Sequence, residues 1–211
     1  MLPSYNTVKK TGKAEMIVQK SRFIAHFMRT ETEEEAIAFI GAIKKEHGSA
    51  NHNCSAYLIG ENSLIQKAND DGEPSGTAGV PMLEVLKKKD LKDTTVVVTR
   101  YFGGVKLGAG GLIRAYGSSV SEGLKQVGIV NRTLSYIVEA TVDYTWLGKL
   151  ENEIRQSGYL LKEIVYLEKV VVRTYVEEAF IDSFYSWITE VTNGQAELNK
   201  TEAVYLETDV V

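Results

Sequence analysis

The sequence predicts an α+β protein of two domains. Three observations lead there: a carboxy-terminal stretch whose apolar pattern alternates β-α-β-β-α-β, a change of charge and glycine content near residues 130–134, and strand-like runs interleaved with amphipathic helices before that point. Residues 1–132 carry 18 Lys and Arg against 14 Asp and Glu, whereas 133–211 carry 6 against 14. Nine of the 18 glycines lie between residues 70 and 117, and all three prolines, Pro3, Pro74 and Pro81, come early. The domains are therefore expected at 1–132 and 133–211, and a polyanion is expected to meet only the first.

The elements follow in order. Residues 14–28 are β-prone with a bend at Lys20-Ser21-Arg22, which reads as a hairpin. Thr30-Glu31-Thr32-Glu33 fits a capping box, and Ala36, Ile37, Ile40 and Ile43 recur at helical spacing before Lys44, Lys45 and Gly48. Cys54–Ile59 and Leu64–Ala68 flank the turn 60–63 as a second hairpin. The acidic loop 69–79 precedes a helix over 80–89, with Pro81 in the first turn, where a missing N–H costs nothing. A β-branched run from Thr94 to Thr99 leads into the glycine loop 103–111. Leu112, Ile113, Tyr116, Val120, Leu124 and Val127 then mark one face of a helix closed by Gly128. From Thr133 come a strand (133–144), a helix (145–157), two strands (159–167 and 169–176), a helix (178–191) and a strand (195–207). This is the ferredoxin-like βαββαβ order.

Composition excludes several classes. The 44% hydrophobic and 25% charged fractions are those of a globular chain, and no stretch approaches the ~18 apolar residues of a membrane span. The start, MLPSYNTVKK, has no apolar core of an export signal, so a cytoplasmic location is expected. A lone cysteine, Cys54, and three histidines cannot assemble the usual four-ligand zinc patterns. No metal and no cofactor are expected.

Three segments carry candidate chemistry. In 103–111, Gly103, Gly104, Gly108, Gly110 and Gly111 free backbone N–H groups at a helix start, and Arg100, Lys106 and Arg114 add positive charge, with Lys20 and Arg22 extending the patch. Such a loop cradles phosphate; equally, it makes a tight strand-to-helix crossover. A P-loop would need Lys-Ser/Thr after its second glycine, and a dinucleotide fingerprint would need a small residue at Ile113, so both nucleotide motifs fail. In 69–79, Asp70, Asp71 and Glu73 can hold Mg²⁺, act as an acid–base pair or cap the next helix, for which Ser75 and Thr77 are the favoured residues. His52 and Cys54 share one face of a strand; a buried, small-hydrophobe Cys54 is favoured over a nucleophile.

Taken together, His52–Tyr57, Asp70–Pro81 and Thr99–Tyr116 resemble the signature blocks of the IMPACT family in its bacterial, YigZ-like form. The resemblance covers nearly the whole chain. It implies an amino-terminal domain like the second domain of ribosomal protein S-five and a ferredoxin-like carboxy-terminal domain. That pair is similar to domains four and five of elongation factor G, which implies contact with RNA or the ribosome. Eukaryotic members restrain the amino-acid-starvation kinase by binding its activator, with an extra amino-terminal domain that has no counterpart here; what carries over is the shared domain with its His52, Asp70–Gly79 and Arg100–Tyr116 blocks.

The expected function is a non-catalytic RNA- or ribosome-associated factor that modulates translation, with a translation-related protein as a further partner. The alternatives are an enzyme acting on a small phosphorylated or nucleotide ligand through the 70–79 and 100–116 loops, and a protein-interaction module whose acidic carboxy-terminal domain docks a basic partner. The S-five-like fold is shared with small-molecule kinases that use glycine loops, which favours the first alternative only by analogy.

Overall fold

The computed structural model describes residues 1–210. The chain forms an α+β protein of two compact units, one made of residues 5–132 with the segment from 207 onward, the other of residues 1–4 with 133–206. Each unit thus takes in a few residues from the far end of the chain, which a single cut near residue 132 does not anticipate. A short strand, β1 (Ser4–Val8), was also absent from the sequence reading; its Val8 is fully buried in the core of the larger unit.

The larger unit contains β2 (Gly12–Val18), β3 (Ser21–Arg29), α1 (Glu33–Glu46), β4 (His52–Ile59), β5 (Ile65–Asn69), α2 (Gly79–Lys88), β6 (Thr94–Tyr101) and α3 (Gly108–Val127). Its sheet has the order β2-β3-β6-β4-β5, with every neighbouring pair antiparallel. Side chains alternate across it. Phe23, Phe27, Cys54, Ala56, Val96 and Val98 face α2 and α3, packing on Met82, Leu86, Tyr116 and Val120. Tyr57 and Ile59 face the other way, onto Ala36 and Ile40 of α1. Covered on both sides, central β6 is buried from Thr94 to Arg100, which explains its unbroken β-branched run.

Local signals hold with two shifts. Hairpin β2–β3 turns on Gln19-Lys20, both at positive φ, one residue earlier than the expected bend. The α1 cap is Thr32, whose hydroxyl accepts from the Glu35 amide at 3.2 Å, while the Glu35 carboxylate accepts from the Glu31 amide at 2.8 Å. Thr30 is instead buried, 2.6 Å from the Thr95 hydroxyl. Both threonines have a glutamate three residues on, and burial of Thr30 decides between them.

The smaller unit has the ferredoxin-like order: β7 (Ile129–Val142), α4 (Tyr144–Ser157), β8 (Leu160–Tyr166), β9 (Val170–Glu177), α5 (Ile181–Val191) after a single 3₁₀ turn, and β10 (Glu197–Asp209). Its strands are arranged β10-β7-β9-β8, and the β7–β9 and β8–β9 pairs are antiparallel. Val138, Ala140, Val142, Val172 and Val176 form the sheet side of a core closed by Leu150, Ile154, Phe184 and Ile188. Gly158, in the left-handed conformation, ends α4 as its position in the sequence predicts. Among the described residues no helix is long and apolar enough to cross a membrane.

Candidate functional site

The three motif blocks meet at one end of the larger unit's sheet. His52 on β4 lies directly opposite Arg100 on β6, and both point to the side occupied by α2 and α3. The loop before α2 folds over this end, so the acidic residues and the strand termini form one polar cluster.

At its centre is Glu73, whose side chain is 3% exposed and accepts from Arg100 Nη1 at 2.6 Å. The Tyr116 hydroxyl donates to the same carboxylate oxygen at 2.8 Å, and His52 Nε2 lies 3.8 Å from the other. Burial, reinforced by Cys54 and Glu73 beside it, raises the Tyr116 pKa, so the phenol stays protonated and remains a donor. Arg100 is packed between the rings of Phe23 and Phe102, with its guanidinium carbon 5.5 and 5.6 Å from their centres. This corrects the expectation that Arg100 meets phosphate at the surface. A buried carboxylate needs a cation, and Arg100 supplies it.

Asp70 and Asp71 are engaged as well. The Asp70 carboxylate accepts from the amides of Gly76, Ala78 and Gly79 at 2.8–3.0 Å, capping α2 from outside the helix. Burial alone would raise its pKa, but these donors outweigh it and the net shift is downward. The sequence favoured Ser75 or Thr77 as the cap; Ser75 is exposed, and the Thr77 hydroxyl donates back to the Pro74 carbonyl at 2.6 Å. Asp71 accepts from Lys44 Nζ at 2.5 Å and from the Asn53 amide at 2.7 Å, and its carbonyl lies 2.9 Å from His52 Nδ1. Among the described residues no three His, Cys, Asp or Glu side chains are grouped to hold a metal ion. Cys54 is fully buried, and burial pushes its thiol up to about 12, far from a thiolate nucleophile.

The glycine segment divides into two parts. Residues 102–103 are tied to the chain: the Phe102 amide donates to Asn51 Oδ1 at 2.8 Å and the Gly103 amide to Ser21 Oγ at 3.1 Å. A Cβ on Gly103 would lie 2.0 Å from the Lys20 carbonyl carbon, so this glycine serves chain packing and not a phosphate. The remaining glycines belong to α3 or lead into it. Gly108, Gly110 and Gly111 form its first turn, four residues before the predicted start, and Gly104 and Gly108 have positive φ with open space where a Cβ would be.

The amino terminus of α3 has no side-chain cap and no acid in its first turn, so its leading N–H groups, which lack helical partners, face outward. Lys106 and Arg114 are exposed there and make no ion pair among the described residues. Lys20 is exposed on the turn whose carbonyl abuts Gly103. Arg22 does not extend this patch. Its neighbour Phe23 packs edge-on against Tyr116 of α3, so Arg22 lies on the α1 side of the sheet, bound to Glu15 at 2.7 Å and stacked over Tyr101. Two clefts of about 280 and 290 Å³ flank Leu107, one reaching Arg114 and the other Lys106, Arg100 and Glu73. Phe102, 46% exposed, lines the second.

Three contributors escaped the sequence reading. Tyr116 looked like a core residue of α3, Ser21 like a turn residue, and Lys44 like a helix-terminal charge. The only available signal was that Tyr116 closes the third motif block.

The Impact N-terminal domain family matches residues 19–124, and a domain of unknown function, DUF1949, matches 141–195. The IMPACT family member YvyE of Bacillus subtilis is 64% identical over 207 residues, 98% of this chain and 95% of that one. The chain belongs to the IMPACT family. Another bacterial member, YigZ of Escherichia coli, is 33% identical over 86% of this chain and 90% of its own length. Protein IMPACT of Xenopus laevis shares 35% identity over 95 residues, 43% of this chain and 30% of that protein. A crystal structure described only as that of a hypothetical protein superposes with a TM-score of 0.61 at 31% identity, covering 96% of this chain and 99% of that one. The YigZ-like assignment and the two-domain α+β architecture therefore stand together. The family match spans all three motif blocks, and the polar cluster around Glu73 is built from residues inside it.

Proposed function

We propose that this IMPACT-family protein is a non-catalytic, RNA- or ribosome-associated factor that modulates translation, gripping phosphates at the amino terminus of α3. The single observation that carries the reading is the contrast at that helix end: outward N–H groups without a cap, beside Lys106, Lys20 and Arg114 without acidic partners among the described residues. Partial positive charge from the helix terminus and two or three cations suit a phosphate, and exposed Phe102 offers a face for base stacking. The charge division supports the same reading, since the basic excess lies before residue 133.

The test is co-sedimentation with ribosomal particles, and anisotropy with a labelled RNA, each at two salt concentrations. Binding is expected to weaken steeply with salt, and Lys106→Ala with Arg114→Ala is expected to lower the slope of log K against log salt by about 1.5–2. Arg100→Ala is unsuited to this purpose, because it strands Glu73. Affinity unchanged by the double substitution, or absent at low salt, overturns the proposal. The same titration with mononucleotides addresses the enzyme alternative, which the 290 Å³ cleft beside exposed Lys106 favours.

A further inference from the structure

The smaller unit is electrostatically the reverse of the larger one, with 6 Lys and Arg against 12 Asp and Glu over residues 133–206. A phosphate-rich ligand is repelled by such a surface. It also has a cavity of its own, about 380 Å³, at the start of edge strand β8 and the end of β9.

The lining of that cavity has a specific chemical character. Tyr159, Tyr175 and Phe180 supply aromatic surface, Leu160 and Leu206 supply aliphatic surface, and Glu177 is the one charged side chain. Tyr159 is held in place from behind, 4.8 Å from the Phe184 ring and stacked on Trp187 at 5.7 Å. Phe180 and Leu160 are 50% and 60% exposed, so the site is open to a visitor. The Glu177 carboxylate is exposed and makes no ion pair or side-chain hydrogen bond among the described residues, in contrast to Glu139 and Glu163, which share Arg173.

We infer that this cavity takes the arginine side chain of a basic partner segment. Aromatic faces attract a cation through their quadrupoles, a planar guanidinium stacks on them better than an ammonium, and the aliphatic walls suit its methylene stem. Glu177 then supplies the countercharge, and the acidic unit as a whole steers a basic segment toward it. This site is independent of the phosphate grip on α3.

The experiment titrates the isotope-labelled full chain with an acetylated Gly-Arg-Gly amide and with its citrulline counterpart, which has nearly the same shape and no charge. The arginine peptide is expected to move the amide resonances of residues 158–160 and 175–180 in a saturable way, while the citrulline peptide leaves them in place. Glu177→Gln and Phe180→Ala, both at exposed positions, are each expected to weaken binding about three- to tenfold, with RNA affinity unchanged. If Phe180→Ala perturbs folding, Glu177→Gln alone decides. Equal response to the two peptides, shifts spread over the acidic surface and indifferent to both substitutions, or no shift at all overturns the inference. Loss of RNA binding in the α3 variants bears only on the phosphate reading.

Discussion

The two loops that stand out in the sequence, 69–79 and 103–111, look equally suited to hold a ligand, and the structure treats them differently. In the first, every acidic side chain already has its donors: Asp70 has three backbone amides, Asp71 has Lys44 and the Asn53 amide, and Glu73 has Arg100 and Tyr116. In the second, only the leading edge is tied down, and the first turn of α3 has neither a side-chain cap nor an acid, with Lys106 beside it. A loop rich in polar groups is a site only where those groups lack partners in their own chain. By that criterion the acidic loop is scaffold and the start of α3 is the candidate surface.

The largest effect that can break this comparison is expected at Glu73. Glu73→Gln removes the charge that compensates Arg100, whose side chain is 6% exposed, and should cost about 3 kcal/mol or more in urea unfolding. Adding Arg100→Met removes the orphaned cation and should recover part of that loss. If Glu73→Gln unfolds at the parental denaturant concentration, the cluster is not structural and the acidic loop returns as a candidate site.

Asp70 comes next. Asp70→Asn keeps one acceptor oxygen but loses the charge that serves Gly76, Ala78 and Gly79, for an expected cost of about 1–3 kcal/mol near neutral pH. The pH dependence has a definite sign. Because the folded pKa lies below the ordinary 3.8, the stabilisation is fully present above that value and disappears as pH falls through the folded one. Parent and variant should therefore converge in acid, once the pH has fallen through the folded value below 3.8. A gap that stays constant with pH would show that the carboxylate charge contributes nothing to the cap.

What the sequence could and could not reveal follows the same division between local and distant partners. The βαββαβ order of the smaller unit was legible because each element there obeys its own periodicity and ends at Gly158 or near Gly194. The α3 boundary was not, since Gly108, Gly110 and Gly111 have poor helix propensity and are held in the helix by the packing of Leu112, Ala115 and Tyr116 on the core. Arg100 illustrates the limit for the site. Nothing local distinguishes it from Lys106, and only the fold of the 69–79 loop, which brings Glu73 against it from 27 positions away, turns it inward.

The smallest expected effect gives the comparison its sharpest form. Lys106→Ala and Arg114→Ala remove exposed cations that hold no ion partner among the described residues, so each should change unfolding free energy by no more than about 0.5 kcal/mol. Arg114 lies in the second turn of α3, where a cation is mildly unfavourable to the helix terminus, so its removal should if anything stabilise. A loss as large as that of Asp70→Asn at either position would mean that the side chain is engaged within its own chain. The two loops would then both be scaffold, and no phosphate grip would remain at this end of the molecule.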